Sequence, residues 1–233
     1  MFALTLSFPL FSPRGNLWPR WVSNLTGGIL ALFSWLSQNS PMATREDDRR
    51  LIEEALSGDP GFEKLVRTYE RLVYRVAFRF LSDETEASDV AQEVFLRIHR
   101  SLAKFRGDSA LSTWIYAITA NLSRNAIRSR KNRAKVQVLA PEEKDGDRPF
   151  WDRVVDNKSV SSSRGLESRE LSVAIQKALA EVPIDYREAV VLRDMEGLDY
   201  QDIARTLETQ VGTVKSRIAR GRALLREKLE EWL

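Results

Sequence analysis

The chain has no cysteine and only one histidine in 233 residues. Without thiols it can hold no disulfide, no cysteine-ligated zinc and no thiol nucleophile. His99 lies in a helical stretch of charged neighbours with no second imidazole or triad partner, so it reads as a solvated histidine. Also missing are a phosphate-binding glycine loop, a pair of carboxylates in a metal arrangement and a nucleophile beside a base. An enzyme is not expected, nor is a cofactor, a metal or a small-molecule substrate. Alternating strand patterns, internal repeats and long heptad runs are absent too, which leaves helices as the building material.

Acids are missing from one segment altogether. Residues 1–45 contain no Asp or Glu, only Arg14, Arg20 and Arg45 as charges, and three of the six tryptophans. Pro9, Pro13, Pro19 and Pro41 break any long helix there. The apolar heart of this stretch, Gly27 to Leu36, is too short to span a bilayer. Met42 opens directly into a charged helix, so the expectation is that translation starts there and that residues 1–45 form an extension without fold of its own.

What is there is segregated charge. The chain carries a formal charge of only +3. Residues 103–135 nevertheless hold eight Lys or Arg against the single acid Asp108, while residues 46–102 hold nine against thirteen acids. A second basic run, Lys215, Arg217, Arg220, Arg222, Arg226 and Lys228, meets one acid, Glu227. Two separate docking places for a polyanion follow from this distribution.

From residue 46 onward the apolar residues recur with helical period. A short helix is predicted over 46–57. Asp59-Pro60-Gly61 supplies a cap and a first-turn proline for a long helix with Phe62, Leu65, Tyr69, Leu72, Val73, Val76 and Phe80 inward. Asp83 and Glu86, in capping-box spacing, open the next, whose stripe is Ala87, Val90, Ala91, Val94, Phe95, Ile98 and Leu102. A third long helix begins near Leu111. Residues 136–166, with Pro141, Gly146, Pro149 and a serine run, read as a flexible linker able to reach about 30 Å as a coil and about 100 Å extended. A helix over 167–182 follows, then one capped by Asp185 with Glu188 and stopped at Gly197. Asp199 to Leu207, Glu208-Thr209 and Val211 to Arg222 then form a helix-turn-helix. The predicted fold is all-α: two small helical domains, 46–135 and 167–233, joined by the linker.

In a helix-turn-helix the second helix offers its N-terminal residues to base edges while cations further along hold phosphates. Thr213, Lys215, Ser216 and Arg220 are the candidates for base or near-base contact, and Arg217, Arg222 and Arg226 for phosphates. The central basic segment differs in kind. A loop from Phe105 to Ser112, with Arg106, Gly107 and Ser109, leads into a helix bearing Trp114, Tyr116, Asn121, Asn125, Arg124 and Arg128. Aromatics that stack bases, amides that read their edges and cations that hold the backbone are what unpaired strands require.

The strings Asp89-Val90-Ala91-Gln92-Glu93-Val94-Phe95, Phe105-Arg106-Gly107-Asp108-Ser109 with Thr113-Trp114-Ile115-Tyr116-Ala117-Ile118 and Asn121, and Gly212-Thr213-Val214-Lys215-Ser216-Arg217-Ile218 resemble the bacterial sigma factors of the extracytoplasmic-function (ECF) group. The resemblance covers residues 46–233 in the family's order. It implies that the first domain binds core RNA polymerase through Asp89, Gln92, Glu93 and Phe95 and opens the promoter's minus-ten element. Phe105, Arg106, Ser109, Trp114, Asn121, Arg124, Asn125 and Arg128 would then handle the minus-ten strand, with a flipped base held in the 105–112 loop. The second domain would read the minus-thirty-five element as duplex. An anti-sigma factor, and a cytoplasmic chain held at the membrane by that partner, are implied as well. The competing reading is a stand-alone helix-turn-helix regulator, which explains the C-terminal helices but neither the Asp89–Phe95 surface nor the single-strand chemistry.

Overall fold

A computed structural model describes residues 45–136 and 163–230. Eight α-helices follow one another there, and no strand occurs among the described residues: α1 Arg45–Leu56, α2 Asp59–Leu81, α3 Glu84–Ser101, α4 Leu111–Val136, α5 Ser163–Glu181, α6 Ile184–Val190, α7 Tyr200–Thr206 and α8 Val211–Lys228. The expectation about residues 1–44 lies outside the described residues, as does most of the predicted linker. Its two ends are helical, since α4 runs to Val136 and α5 begins at Ser163.

The N-terminal group is built on α2. Its stripe of Leu65, Tyr69, Leu72, Val73, Val76, Ala77 and Phe80 is buried, and α3 contributes Ala87, Ala91, Val94 and Ile98 from the opposite side. Leu111, Ile115 and Ala120 of α4 close this core. Each fully buried large side chain among them contributes about 1.5–3 kcal/mol of transfer free energy. Helices α1 and α2 cross closely at Gly61, where a Cβ would lie 1.9 Å from the carbonyl oxygen of Glu54. Asp48 ties three helices together: its carboxylate accepts the backbone N–H of Leu111 at 2.8 Å, at the start of α4, and the Tyr69 hydroxyl at 3.4 Å. A negative charge at a helix N-terminus meets otherwise unsatisfied donors and the positive end of the dipole.

Local cap chemistry decides most boundaries. Asp83 accepts the Glu86 N–H at 2.8 Å and Asp199 that of Asp202 at 2.7 Å, as their spacing predicts. Two predicted caps differ. Gly58, with φ +146°, is the N-cap of α2, and Asp59 falls inside the first turn. Pro183 precedes α6, and Asp185 turns outward to Arg217 at 3.1 Å instead of capping. Tertiary partners outcompete the local pattern there.

In the C-terminal group α6 does not stop at Val190. It runs on through a single π-helical turn, Val191–Met195, and ends before Gly197, whose φ of +77° suits only glycine well. Val190, Val191, Leu192, Ile203, Val214, Ile218 and Leu225 fill the core between α6, α7 and α8. Gly221 lets α8 lie against α6, since a Cβ there would sit 2.5 Å from a methyl of Val190. The turn between α7 and α8 places Glu208 at φ +49°.

The two groups are packed on one another. Helix α5 and α6 lie against α2, and α7 lies against α4. Gln176 donates to the Phe78 carbonyl and to Ser82 Oγ, both at 3.1 Å, and Arg187 donates to the Phe80 carbonyl. Side chains of the C-terminal group thereby satisfy carbonyls at the C-terminal end of α2, where cations are also favoured by the dipole.

Candidate nucleic-acid interface

Helix α4 offers two faces. One is core: Leu111, Ile115, Thr119, Ala120, Ser123 and Ile127 are buried. Trp114, Asn121, Asn125 and Arg128 recur at spacings of seven, four and three along the other, which puts them on one stripe. Asn125 and Arg128 are exposed, Trp114 and Asn121 half-buried. The indole of Trp114 packs against the ring of Phe105, centroids 5.2 Å apart and planes tilted by 46°. Trp114 therefore both closes the core and supports the 105–110 loop. In that loop Arg106 is exposed, Gly107 adopts φ +75°, and Ser109 is half-buried, its hydroxyl donating to the Ala110 carbonyl at 3.3 Å.

Tyr116, read from sequence as one of the stacking aromatics, points the other way. It is 3 % exposed, and its hydroxyl donates to Glu196 at 2.8 Å. Arg124 is also engaged. Its Nε donates to Glu188 at 2.8 Å and its Nη1 to the Asn121 side-chain oxygen at 3.3 Å.

On α8 the first turns are open to solvent. Lys215, Ser216 and Arg220 are exposed and Thr213 is half-buried. Lys215 lies 5.7 Å from the centre of the Tyr200 ring, and the Ser216 hydroxyl donates back to the Thr213 carbonyl at 2.9 Å. Two of the phosphate candidates already have partners. Arg217 pairs with Asp185 at 3.1 Å, and Arg222 forms a bidentate pair with Asp194 at 2.9 and 2.6 Å. The Asp194 hydrogen bonds raise the pKa of Arg222 further above its ordinary value. Its evident work is to lock α8 onto the π-turn, while Arg226 is exposed and free to reach outward.

On α3, Asp89, Gln92 and Glu93 are exposed, and so is Leu96, an apolar residue beside them that no motif marks in one sequence. Phe95 is 8 % exposed and lies in the core, as the apolar stripe of α3 predicts, so its side chain does not share the exposed face of Asp89, Gln92 and Glu93.

The largest surprise lies between the two groups. Glu196 is fully buried and accepts from Arg75 at 3.1 and 2.8 Å, from Arg79 at 2.5 Å and from Tyr116 at 2.8 Å. Burial alone would raise its pKa. The Arg75 hydrogen bonds, the charges of Arg79 and Arg75 and the Tyr116 hydroxyl together hold it below the usual carboxylate range. Burial in turn lowers Arg79 to about 10. Glu188 is the opposite case: burial outweighs the charge and hydrogen bond of Arg124 and pushes it up to about 7. One oxygen of Glu188 and one nitrogen of Arg124 are buried with no hydrogen-bond partner. Of these six residues, Glu196, Arg75 and Arg79 carry no motif that marks them in one sequence; only the Arg75 and Arg79 spacing, i and i+4 on one helix, hints at a shared ligand.

No cluster of three or more potential metal ligands occurs among the described residues, and no described helix is long and apolar enough to cross a membrane.

Residues 65–133 match the family model Sigma-70 region 2, and residues 172–225 match Sigma-70, region 4. The RNA polymerase sigma-H factor of Pseudomonas aeruginosa is 36% identical over 194 residues, 82% of this chain and 98% of that protein. The ECF RNA polymerase sigma-E factor of Haemophilus influenzae is 34% identical over 191 residues, covering 81% and 98%. That of Escherichia coli is 31% identical over 194 residues, covering 81% and 97%. Among solved structures, the fold is similar to the sigma factor RpoE in complex with the anti-sigma factor NepR from Bartonella quintana, with a TM-score of 0.55 at 23% identity over 72% of this chain and 96% of that one. It is similar also to CnrH in complex with the cytosolic domain of CnrY, with a TM-score of 0.53 at 24% identity over 79% and 97%.

Proposed function

The chain belongs to the ECF group of the sigma-70 family, and from that premise we propose how its two faces divide the work of a promoter-specific transcription initiation factor. The exposed acids and amide of α3, Asp89, Gln92 and Glu93 around Leu96, dock on core RNA polymerase. The stripe of α4 takes the minus-ten element as single strand. Asn121 and Asn125 read base edges, Trp114 with Phe105 supports an unstacked base, Arg106 and Ser109 border its pocket, and Arg124 and Arg128 hold the backbone. The first turns of α8 read the minus-thirty-five element in the major groove through Thr213, Lys215, Ser216 and Arg220, with Arg217, Arg222 and Arg226 on the phosphate side.

The observation that carries this reading is that one chain builds two cationic faces of different chemistry. One mixes aromatics and amides with its cations, which suits unpaired bases; the other is a helix N-terminal half with open sides, which suits a duplex groove. A stand-alone regulator has use for the second alone. The chain performs no bond-making of its own in this scheme: melting is the preference of the α4 face for unstacked bases over duplex. A partner that covers these faces, an anti-sigma factor, would silence the protein, and a cytoplasmic location follows from working on DNA. The domain limits that serve this division are 46–135 and 167–233.

Transcription in vitro with sigma-free core polymerase, the purified chain and fragmented DNA from its own source tests the proposal. Defined start sites that share two spaced upstream elements are expected. Sequence-specific duplex binding without any initiation would instead favour the stand-alone regulator.

A further inference from the structure

The loop assigned above to the unstacked base ends where α4 begins, and that junction lacks a cap of its own. Ala110, the residue before α4, has no side-chain oxygen, and alanine is among the poorest N-cap residues. The neighbouring Ser109 hydroxyl is turned to the Ala110 carbonyl. The acceptor comes instead from α1, 63 residues earlier in the chain. Asp48 takes the Leu111 N–H at 2.8 Å on one carboxylate oxygen and the Tyr69 hydroxyl at 3.4 Å on the other. Asp48 is 6 % exposed and Leu111 is fully buried, so water is a poor substitute for this bond. Burial first, and then the Asp48 charge, raise the pKa of the Tyr69 phenol, which therefore stays a donor.

The front of the loop is held as well. A single 3-10 turn, Leu102–Lys104, follows α3 and packs against α1, with Leu102 buried. The Phe105 N–H donates to the Leu102 carbonyl at 3.0 Å, and the Phe105 ring meets that of Trp114. Between these two anchors Arg106, Gly107 and Asp108 are exposed, and Gly107 turns the chain at φ +75°. The path of the loop is thus fixed in front by an aromatic pair and behind by one buried carboxylate. Both anchors involve α1, which lies outside the residues 65–133 that match Sigma-70 region 2.

We propose that Asp48 is a positioning residue for minus-ten recognition: from α1, through the Leu111 N–H, it sets where the 105–110 loop stands beside Trp114 and so shapes the pocket that holds the unstacked base. This role rests on the assignment of α4 and its loop to the minus-ten strand. Asp48 is buried and meets the strand only through the loop. Such indirect control is effective because a binding pocket loses its contacts when its walls move by more than about half an ångström. The carboxylate also fills the N-terminus of α4 with an anion of the protein, so a strand phosphate is not drawn there in place of the base.

The test uses the full chain assembled with core polymerase, as wild type, Asp48→Ala, Asp48→Asn and Tyr69→Phe. The probe is a labelled single-stranded oligonucleotide carrying the non-template minus-ten region of a promoter mapped as above, with a companion set in which one position at a time is abasic. Fluorescence anisotropy reads affinity, and circular dichroism of each free chain reads whether it is folded. The wild-type complex is expected to bind the intact strand about tenfold more tightly than the strand abasic at the pocket position, the effect of one stacked base. Asp48→Ala should compress that ratio to about twofold and leave the affinity for the abasic strand within about twofold of wild type. A side chain that only stabilised the fold would lower both affinities together and leave the ratio alone. Asp48→Asn keeps an acceptor for the Leu111 N–H and should restore most of the ratio. Tyr69→Phe loosens the carboxylate without removing it, so it should lower the ratio less than Asp48→Ala does, and it covers the case in which that variant does not fold. A wild-type ratio in Tyr69→Phe or in folded Asp48→Ala overturns the role, as does an Asn variant as deficient as the Ala variant. A wild-type complex that discriminates no abasic position removes instead the minus-ten assignment beneath it.

Discussion

At the scale of single residues, two backbone positions and one buried carboxylate bear directly on the stability of the fold. Gly61 sits where α1 and α2 cross, and any Cβ would overlap the backbone oxygen of Glu54, an atom with no room to move. Gly61→Ala is therefore expected to cost about 2–3 kcal/mol in chemical denaturation, well beyond what better helix propensity returns. Glu208, at φ +49°, is the reverse case: a residue with a Cβ in the left-handed region. Glu208→Gly should stabilise the chain by about 0.5–1 kcal/mol, read as a rise in melting temperature, because glycine carries no steric penalty there. Asp48 binds the start of α4 to α1 and α2, and it is buried. Asp48→Ala leaves the Leu111 N–H without its acceptor and is expected to destabilise by about 1–3 kcal/mol in the same denaturation experiment.

At the scale of elements, the proposed division of work asks α4 and α8 to solve different recognition problems with the same helical geometry. On α4 the amides stand on a stripe flanked by aromatic support, and on α8 the polar residues crowd the first two turns. Asn121→Ala is expected to slow initiation on duplex promoters by tenfold or more, on the order of a lost bidentate base contact, and to matter much less on templates already unpaired at the minus-ten element. Equal loss on both templates would mean that Asn121 reads a base without assisting opening. The α6 helix shows how an element is shaped by what surrounds it. Its π-turn brings Asp194 to Arg222 and Glu196 into the N-terminal group.

At the scale of the whole molecule, two buried carboxylates set opposite pH limits on the packing of the two helical groups. Glu188 is raised from 4.5 to about 7, chiefly by burial, with Arg124 and Arg217 opposing and Asp185 adding to the rise. A raised carboxylate pKa means that its contribution is complete below 4.5 and is lost as the pH climbs through about 7. Glu196 is held below its ordinary value, so its contribution is present above 4.5 and is lost on acidification through its lowered pKa. Compactness measured by scattering should then peak between about pH 5 and 6 and relax toward pH 8. Glu188→Gln should flatten the change between pH 6 and 8 while leaving the acid limb in place. An unchanged slope in that variant would assign the titration to another group.

Much of this protein was determined by the sequence alone, because the relevant physics is local. Apolar period sets each helix and its inward face; Asp83 with Glu86 and Asp199 with Asp202 set starts, and Gly197 sets a stop. Segregated cations and amides marked both proposed nucleic-acid faces, and Asn125, Arg128, Lys215, Ser216 and Arg220 are exposed as that pattern requires, because exposed chemistry depends little on distant neighbours. The tertiary structure decided the rest, wherever a long-range partner outbid the local one. Asp185 left its cap for Arg217, Glu188 left its capping-box role for Arg124, Arg222 met Asp194 and Tyr116 met Glu196. Each of these pairings joins residues far apart in the chain or turned inward by packing. Charge and spacing along a single sequence cannot say which buried cation a carboxylate will meet, because that depends on how whole helices stack.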